Sequence, residues 1–426
     1  MPQFPKRPTA IQPTVLDRVL LWASPETGLR RLETRARYQA LETSGYITPG
    51  SSRRSMRGWN PVTRTADQDT LPKIESARAG TRDLAMNSGV ARAALKREVT
   101  NVVGWGLNLQ SRIDREFLGM SDDEADAWEK NTEREFRMWA SSQECDAART
   151  LNFYELQALV TFNASLSGDV FVIMPYFSRG PLPYSLRLKI VEADWVVNPA
   201  NQPETQKTAG GVEVDGNGAP VAYHFRKPDP GDLISSSIYS TAYSTQRIPV
   251  FGEASGRRQI LHLFSQERPG QRRGMPMLAP VVEILKQITR LSESELMASV
   301  VASFFTVFVK TQPAQGGLTD GFVPADKVAD TTTNASDDLA YEMGSGNIIE
   351  LAGEGQDITI ADPKRPNGNF EPFFLAMVKQ IGAAIEIPYE QLLLTFNSSY
   401  SAARGAMLEA WKFYRHRRVW LSRKFC

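Results

Sequence analysis

The 426-residue sequence has two cysteines, Cys145 and Cys426, and three histidines, His224, His262 and His416. Two thiols so far apart exclude a disulfide framework and a cysteine zinc site, and they suit assembly in a reducing cytosol. The histidines stand singly at strand-like or helical positions, so neither a metal site nor a catalytic imidazole is expected. No apolar run reaches the ~18 residues of a membrane span. Residues 1–13 lack the apolar core of a secretory leader, so a soluble, unexported protein with no membrane partner is expected. No Gly-x-x-x-x-Gly-Lys-Ser/Thr loop occurs, which excludes assignment as an ATP-driven motor. Gly104-Trp105-Gly106 follows a helical stretch and not a strand, so it reads as a turn and not as a dinucleotide loop. Ser165-Leu166-Ser167-Gly168 lacks the spacing of a nucleophilic serine and has no histidine partner. No catalytic residue and no cofactor are expected, and the chain reads as a non-enzyme.

What is present is an ordinary globular composition, 42% hydrophobic and 23% charged, with a formal net charge of +1. A chain of this length buries a large core and holds two or three domains. The charge is unevenly spread. Residues 1–60 carry ten Lys or Arg against four acids, set among Gly, Ser and Pro, and read as a basic arm with one helix over residues 25–43. An arm of this kind orders on a partner or a neighbouring subunit.

The body then alternates in period. Residues 73–87 and 90–103 read as helices, the second closed by Gly104. Ser121-Asp122-Asp123-Glu124 is a capping box that opens a helix to about Trp139, so its acids are helix chemistry and not a metal site. A further helix over 152–167 closes at Gly168. The period then changes to two: 170–174, 186–191, 212–214, 221–225 and 260–264 read as strands, with a tight turn at Asn217-Gly218. Residues 233–246, rich in Ser, Thr and Tyr, read as an exposed loop. Helices outside and an antiparallel sheet inside predict an α+β body.

After Arg268-Pro269-Gly270-Gln271-Arg272-Arg273-Gly274, one helix is expected over 277–305, about 40 Å long at 1.5 Å per residue. By itself it reads equally as a long core helix. Residues 310–366 turn to Gly, Asp, Thr and Asn, and the segment near 331–338 reads as a mobile tip. The acids there, Asp320, Asp326, Asp337 and Asp338, read as solvated, with a nuclease or cation site as the alternative.

The last 57 residues organise the rest. Asn369 as cap and Pro372 in the first turn open a helix with an apolar face of Phe373, Phe374, Met377, Val378, Ile381 and Ile385. Pro388 ends it, 395–401 reads as a polar loop, and 402–424 reads as a basic helix. From Arg404 to the end there are seven Lys or Arg and one acid, Glu409. That excess suits a polyanion, and equally a solvated basic face.

Here the sequence resembles a known family. Ile387-Pro388-Tyr389-Glu390-Gln391-Leu392, then Asn397-Ser398-Ser399-Tyr400-Ser401-Ala402-Ala403-Arg404, then Glu409-Ala410-Trp411 and Arg415-His416-Arg417-Arg418 are similar to the portal proteins of tailed bacteriophages, of the phage lambda type. Trp59-Asn60-Pro61, the run from Ala79 to Gly89, Asn101-Val102-Val103-Gly104 and the Arg-Pro-Gly-Gln opening extend the resemblance over most of the chain from Trp59.

The resemblance implies a portal fold: a basic arm (1–58), an α+β wing (59–270), a stem helix (271–305), a clip (306–366), a second stem helix (367–388), a tunnel loop (389–404) and a basic channel or wing helix (405–426). It implies a homo-dodecameric ring at one capsid vertex that passes double-stranded DNA. Its implied partners are the terminase large subunit, then the head-completion or connector protein, with the major capsid and scaffold proteins around it. The implied setting is the virion, after assembly in the host cytoplasm. Phe396, Asn397, Ser398, Ser399, Tyr400, Ser401, Ala402, Ala403 and Arg404 would project toward DNA. A channel that passes any sequence touches phosphate weakly and repeatedly, which small hydroxyl and amide groups do without gripping. Lys412, Arg415, Arg417, Arg418, Arg423 and Lys424 would either line the lumen or bridge subunits. Portals of this type continue into further wing and crown helices, so a chain ending at Cys426 is expected either to lack a crown or to be a truncated form. A non-enzymatic nucleic-acid-binding scaffold protein of the virion is the alternative.

Overall fold

A computed structural model describes residues 14–43, 59–180, 183–199, 202–227, 244–303, 307–311, 356–360, 368–396 and 399–426. The chain divides into two units, residues 1–65 and 66–426.

In the first unit, α1 (Val15–Ala23) opens on a reciprocal capping box between Thr14 and Asp17. Ser24 separates it from α2 (Pro25–Thr43). The predicted arm helix is therefore preceded by another, whose cap motif the basic composition obscured. Arg31 reaches Asp17 at 3.1 Å and ties the two helices. Gly28 lies so close to the Leu21 backbone that a β-carbon would overlap it.

The second unit begins with α3 (Ala66–Asn87) and α4 (Gly89–Val102). Helix α3 starts seven residues before the expected position because Pro72 is accommodated within it instead of marking its boundary. A tight turn follows, with Gly104 and Gly106 at φ of 58° and 102° and the Trp105 ring in solvent. The single turn α5 (Arg115–Leu118) leads into α6 (Asp122–Ser141), whose Ser121–Glu124 capping box forms as expected. Helix α7 (Phe153–Ser167) opens on a second reciprocal box, Asn152 with Glu155.

Two antiparallel sheets follow. β1 (Asp169–Ile173) is the central strand of the first, flanked by β2 (Lys189–Glu192) and, further along the chain, by the strand at Ile260–Phe264. The second sheet holds β3 (Thr208–Ala209), β4 (Val212–Val214), β5 (Pro220–Arg226) and β6 (Thr245–Pro249) in that order, and β7 is Ile260–Phe264. Gly218, at φ 84°, makes the turn between β4 and β5. Thr245 and Gln246, expected in a loop, belong to β6, and residues 228–243 of that expectation lie outside the described residues. Strand β6 went unread because its Thr-Gln-Arg start lacks apolar alternation.

The expected long helix begins late. Pro280 sits in a 3-10 turn, Ala279–Val281, and the α-helix proper is α8 (Val282–Ser303). Its first half is core, through Leu285 and Ile288, whereas Leu296, Met297 and Val300 are exposed. Strands β8 (Val307–Thr311) and β9 (Gln356–Ile360) pair antiparallel, so the chain leaves and returns at one place. Residues 312–355, including the acids at 320–338 and the mobile-tip reading, lie outside the described residues.

The chain closes with α9 (Phe370–Ile385), α10 (Tyr389–Leu393) and α11 (Tyr400–Lys424). The Asn369 side chain makes no cap bond, since the residue is itself in the helical region. The α9 face is buried at Val378, Ile381 and Ile385, packed with Leu285 and Ile288 of α8, while Phe373 is exposed. One core cluster joins α4, α7, β1, α8, α9 and α11, and a smaller one lies between the two sheets around Phe171.

Candidate functional site

The candidate site is the turn between α9 and α11 and the basic helix beyond it. Helix α9 ends with Glu386 in the left-handed region at φ 59°, and the Ile387 amide donates to the Gly382 carbonyl at 3.0 Å. A β-carbon on Gly382 would press against that Ile387 carbonyl. Pro388 caps α10, and Leu394, again left-handed at φ 56°, turns the chain outward.

The connecting loop is shorter than the sequence suggested. Tyr389–Leu393 is helical, and α11 starts at Tyr400, so the two helices are six residues apart. Ser399 stands at the N-cap position, and the Ala403 amide donates to its carbonyl at 2.9 Å. The run Tyr400, Ser401, Ala402, Ala403 and Arg404 is therefore the first turn of a helix. Ser401 was misleading, because two alanines and an arginine after a serine cap favour helix strongly. Phe396, Tyr400 and Arg404 are exposed, and Asn397 and Ser398 lie outside the described residues.

Helix α11 is held by a narrow seam of Ala410, Tyr414 and Leu421. The Tyr414 hydroxyl donates to Gln391 Oε1 at 2.6 Å, which fastens α11 to α10. Burial, with the Glu98 charge beside it, pushes that hydroxyl up to about 12, so it remains a donor.

The basic residues divide into two groups that charge counting could not separate. Arg417 donates through Nε to Glu98 at 2.6 Å, and its other nitrogens reach Ser265 Oγ at 2.8 Å and Ser165 Oγ at 3.2 Å. Arg418 donates to the carbonyls of Val102 and Asn101 at 2.9 and 2.7 Å. These are end carbonyls of α4, where a cation is favoured by the helix dipole. Both arginines therefore make contacts within their own chain. Arg404, Lys412, Arg415, Arg423 and Lys424 are exposed, with Lys412 paired to Glu409 at 2.6 Å.

A second group of charges, which the sequence did not single out, fixes the root of α8. Asp169, fully buried at the start of β1, receives Arg273 Nε at 2.5 Å and an Arg78 nitrogen at 2.7 Å. Arg273 also donates to the carbonyls of Val196, Gly210 and Ala193 at 2.9, 2.6 and 2.7 Å. Arg78 donates to the Ser167 carbonyl at 2.8 Å and to Asp194, which Arg82 also contacts. Burial alone would raise the Asp169 carboxyl, but Arg273 and Arg78 hold it far below the usual carboxylate range. Gln271 completes the motif: its carbonyl accepts the Glu267 amide at 3.0 Å and its amide donates to the Arg273 carbonyl at 2.8 Å. The legible signals were an acid at the head of an apolar strand and two consecutive arginines before a glycine.

Among the described residues no group of three or more His, Cys, Asp or Glu is placed to hold a metal ion. Among them, too, no helix is long and apolar enough to cross a membrane.

Comparison with known proteins fits this picture. The chain is 24% identical over 389 residues to the portal protein of Escherichia phage N15, covering 87% of this chain and 71% of that protein. It is 23% identical over 399 residues to portal protein B of Escherichia phage lambda, covering 89% and 72%. A chain from the virion of a native gene transfer agent particle superposes with a TM-score of 0.46 at 14% identity, covering 97% of this chain and 87% of that one. The family described as phage portal protein, lambda family, matches residues 52–418. A match over that span, which takes in both sheets, the α8 root and all but the end of α11, means that this chain belongs to the lambda family of phage portal proteins.

Proposed function

We propose that this chain forms a dodecameric ring at one vertex of the capsid, through which double-stranded DNA enters during packaging and leaves at ejection. The ring docks the terminase large subunit and then the head-completion or connector protein, and it meets major capsid and scaffold proteins around its rim. It assembles in the host cytoplasm and acts structurally, with no catalytic step of its own.

The observation that carries this reading is the α9–α11 hairpin. Its base is locked by the Tyr414–Gln391 bond and by Arg417 and Arg418 on α4. At its tip Phe396, Ser399, Tyr400, Ser401 and Arg404 are exposed, combining aromatic, hydroxyl and basic side chains. A rigid base with a projecting tip is what a segment that touches moving DNA requires, since weak phosphate contacts must be made without registry to sequence. The half-exposed α8 supports its role as a stem, because Leu296 and Met297 present an apolar surface that a neighbouring element would cover. The β8–β9 pairing supports the segment between them as a clip that leaves and re-enters the stem at one point. The wing is then the body from α3 to β7.

Mass measurement by light scattering at moderate salt, followed by negative-stain images of the main peak, tests the proposal. A ring of about twelve copies with a central hole is expected. A stable monomer that binds DNA would overturn it in favour of a nucleic-acid-binding scaffold protein.

A further inference from the structure

Two exposed patches on the second unit have complementary chemistry. The first lies where the outer ends of β1, β2 and β7 meet. Tyr176 and Phe251 are 65% and 56% exposed there, beside the partly exposed Phe177. Arg257 lies over the Tyr176 ring at 4.8 Å and Arg258 over the Phe251 ring at 5.8 Å. Neither arginine forms an ion pair with a described residue. Arg258 Nε donates to the Ile260 carbonyl at 3.2 Å, which holds that guanidinium in place; a guanidinium so pre-organised on a ring presents its outer nitrogens to a carboxylate. Glu253, on the same turn, only partly offsets their charge. With their faces occupied by arginine, these rings are poor platforms for stacked bases, so an acidic protein surface fits better than a single-stranded nucleic acid.

The second patch is the corner between α5 and α6. Phe117 and Leu118 are 86% and 53% exposed. Glu116, Asp122 and Asp123 lie on the same corner, beside Glu124 of the capping box, and among the described residues Arg115 alone pairs with these acids, reaching Asp122 at 3.0 Å and the nearby Asp126 at 2.6 Å. The two patches cannot satisfy each other within one chain. Helix α6 separates them: Asp122 starts it, and Trp139 near its end donates to the Leu186 carbonyl beside the first patch, at 3.1 Å. Seventeen residues of helix make about 26 Å.

We infer that the acidic, apolar α5–α6 corner of one copy docks on the arginine and aromatic patch of Tyr176, Phe251, Arg257 and Arg258 in the next. A surface that fits a different surface of the same molecule gives a head-to-tail contact, which closes into a ring when the rotation permits. The inference rests on the ring reading above and names one of the contacts that would join its subunits. Opposed charges around exposed aromatic residues give such a contact its orientation, and salt weakens it.

The test is a charge swap in the full chain, read by mass in solution and by negative stain. R257E/R258E and D122K/D123K should each abolish the ring at moderate salt, and the four changes together should restore it. Circular dichroism melting of each variant, unchanged from the unmodified chain, shows that the fold survives. An unmodified ring that persists in both double variants overturns the contact and leaves the ring standing. An unmodified chain that stays monomeric overturns the ring and the contact together. Intact rings of R257E/R258E that lose retention on single-stranded DNA would assign the patch to nucleic acid and also overturn the contact.

Discussion

The Arg417 guanidinium meets the Glu98 carboxylate at 2.6 Å, and Glu98 is fully buried. The pair joins α11 to α4 across 319 positions of sequence. Removing one partner strands the other charge, which typically costs about 3–5 kcal/mol. Arg417→Ala should therefore lower the chemical denaturation midpoint strongly, and Arg417→Lys should recover little, because an ammonium cannot also reach both Ser165 and Ser265. Replacing both partners, Arg417→Met with Glu98→Gln, should cost less than the single alanine. A double variant as unstable as the single one would count against the pairing as the main contribution.

A comparable constraint without charge holds the root of α8. A β-carbon on Gly168 would overlap the Gly274 carbonyl, and one on Gly274 would overlap the Gly168 carbonyl. Gly168 also sits at φ 88°, which side chains other than hydrogen disfavour. Overpacking of this kind costs about 1–3 kcal/mol or more, so Gly274→Ala should unfold at lower denaturant than wild type. Gly256→Ala, with open space around the position despite a φ of 63°, is the control and should cost less.

These two sites show what the sequence made legible. The capping box at Ser121, the helix from Asn152, the strand at 260–264 and the helix before Pro388 follow from local rules that act within four residues. Trp105 could be read as a turn for the same reason. The acid at the head of β1 and the arginine pair before Gly274 were each visible singly, but their pairing was not, because Arg78 and Arg273 come from 91 and 104 positions away. Counting charges treated Arg415, Arg417 and Arg418 alike. Only the packing of α11 on α4 turns two of them inward and leaves the other in solvent, and no periodicity encodes which residue finds a buried acid.

Acid stability should be lost in two stages. His262 stacks on Phe171 at 4.2 Å and on Phe264 at 4.5 Å. Burial lowers its pKa, although Asp169 pulls the other way, and His224 is lowered too, by burial. A histidine whose folded pKa lies below its unfolded value of about 6.5 takes up a proton more readily when unfolded. The stability it contributes is present above about pH 6.5 and is lost as pH falls toward the folded pKa. Asp169, depressed when folded, contributes stability that is present above its unfolded value of about 3.9 and is lost only below it. Denaturation midpoints measured from pH 8 to 3 should show a shallow decline below about 6.5 and a steeper one below about 4. His262→Gln should reduce the first decline; an unchanged slope would mean that His262 takes up its proton equally in the folded and unfolded chain, and a steeper one that the imidazole is charged in the fold.

If the proposed ring passes DNA, the division of the basic helix also predicts how DNA binding responds to mutation. Arg404, Lys412, Arg415, Arg423 and Lys424 are exposed, whereas the Arg417 and Arg418 donors are spent on α4, Ser165 and Ser265. Each cation that neutralises a phosphate contributes about 0.9 to the slope of log K against log salt on duplex DNA. Neutralising Arg404 and Arg415 to Gln should thus lower that slope by up to about two, with the melting temperature unchanged. Arg418→Gln should do the reverse, leaving the slope in place while destabilising the chain, because two carbonyls at the end of α4 lose their donor. The two measurements, a salt titration on duplex DNA and a thermal melt, separate the groups cleanly. A slope that falls with Arg418→Gln in a fully folded ring would put that guanidinium on DNA and the α4 contact in doubt.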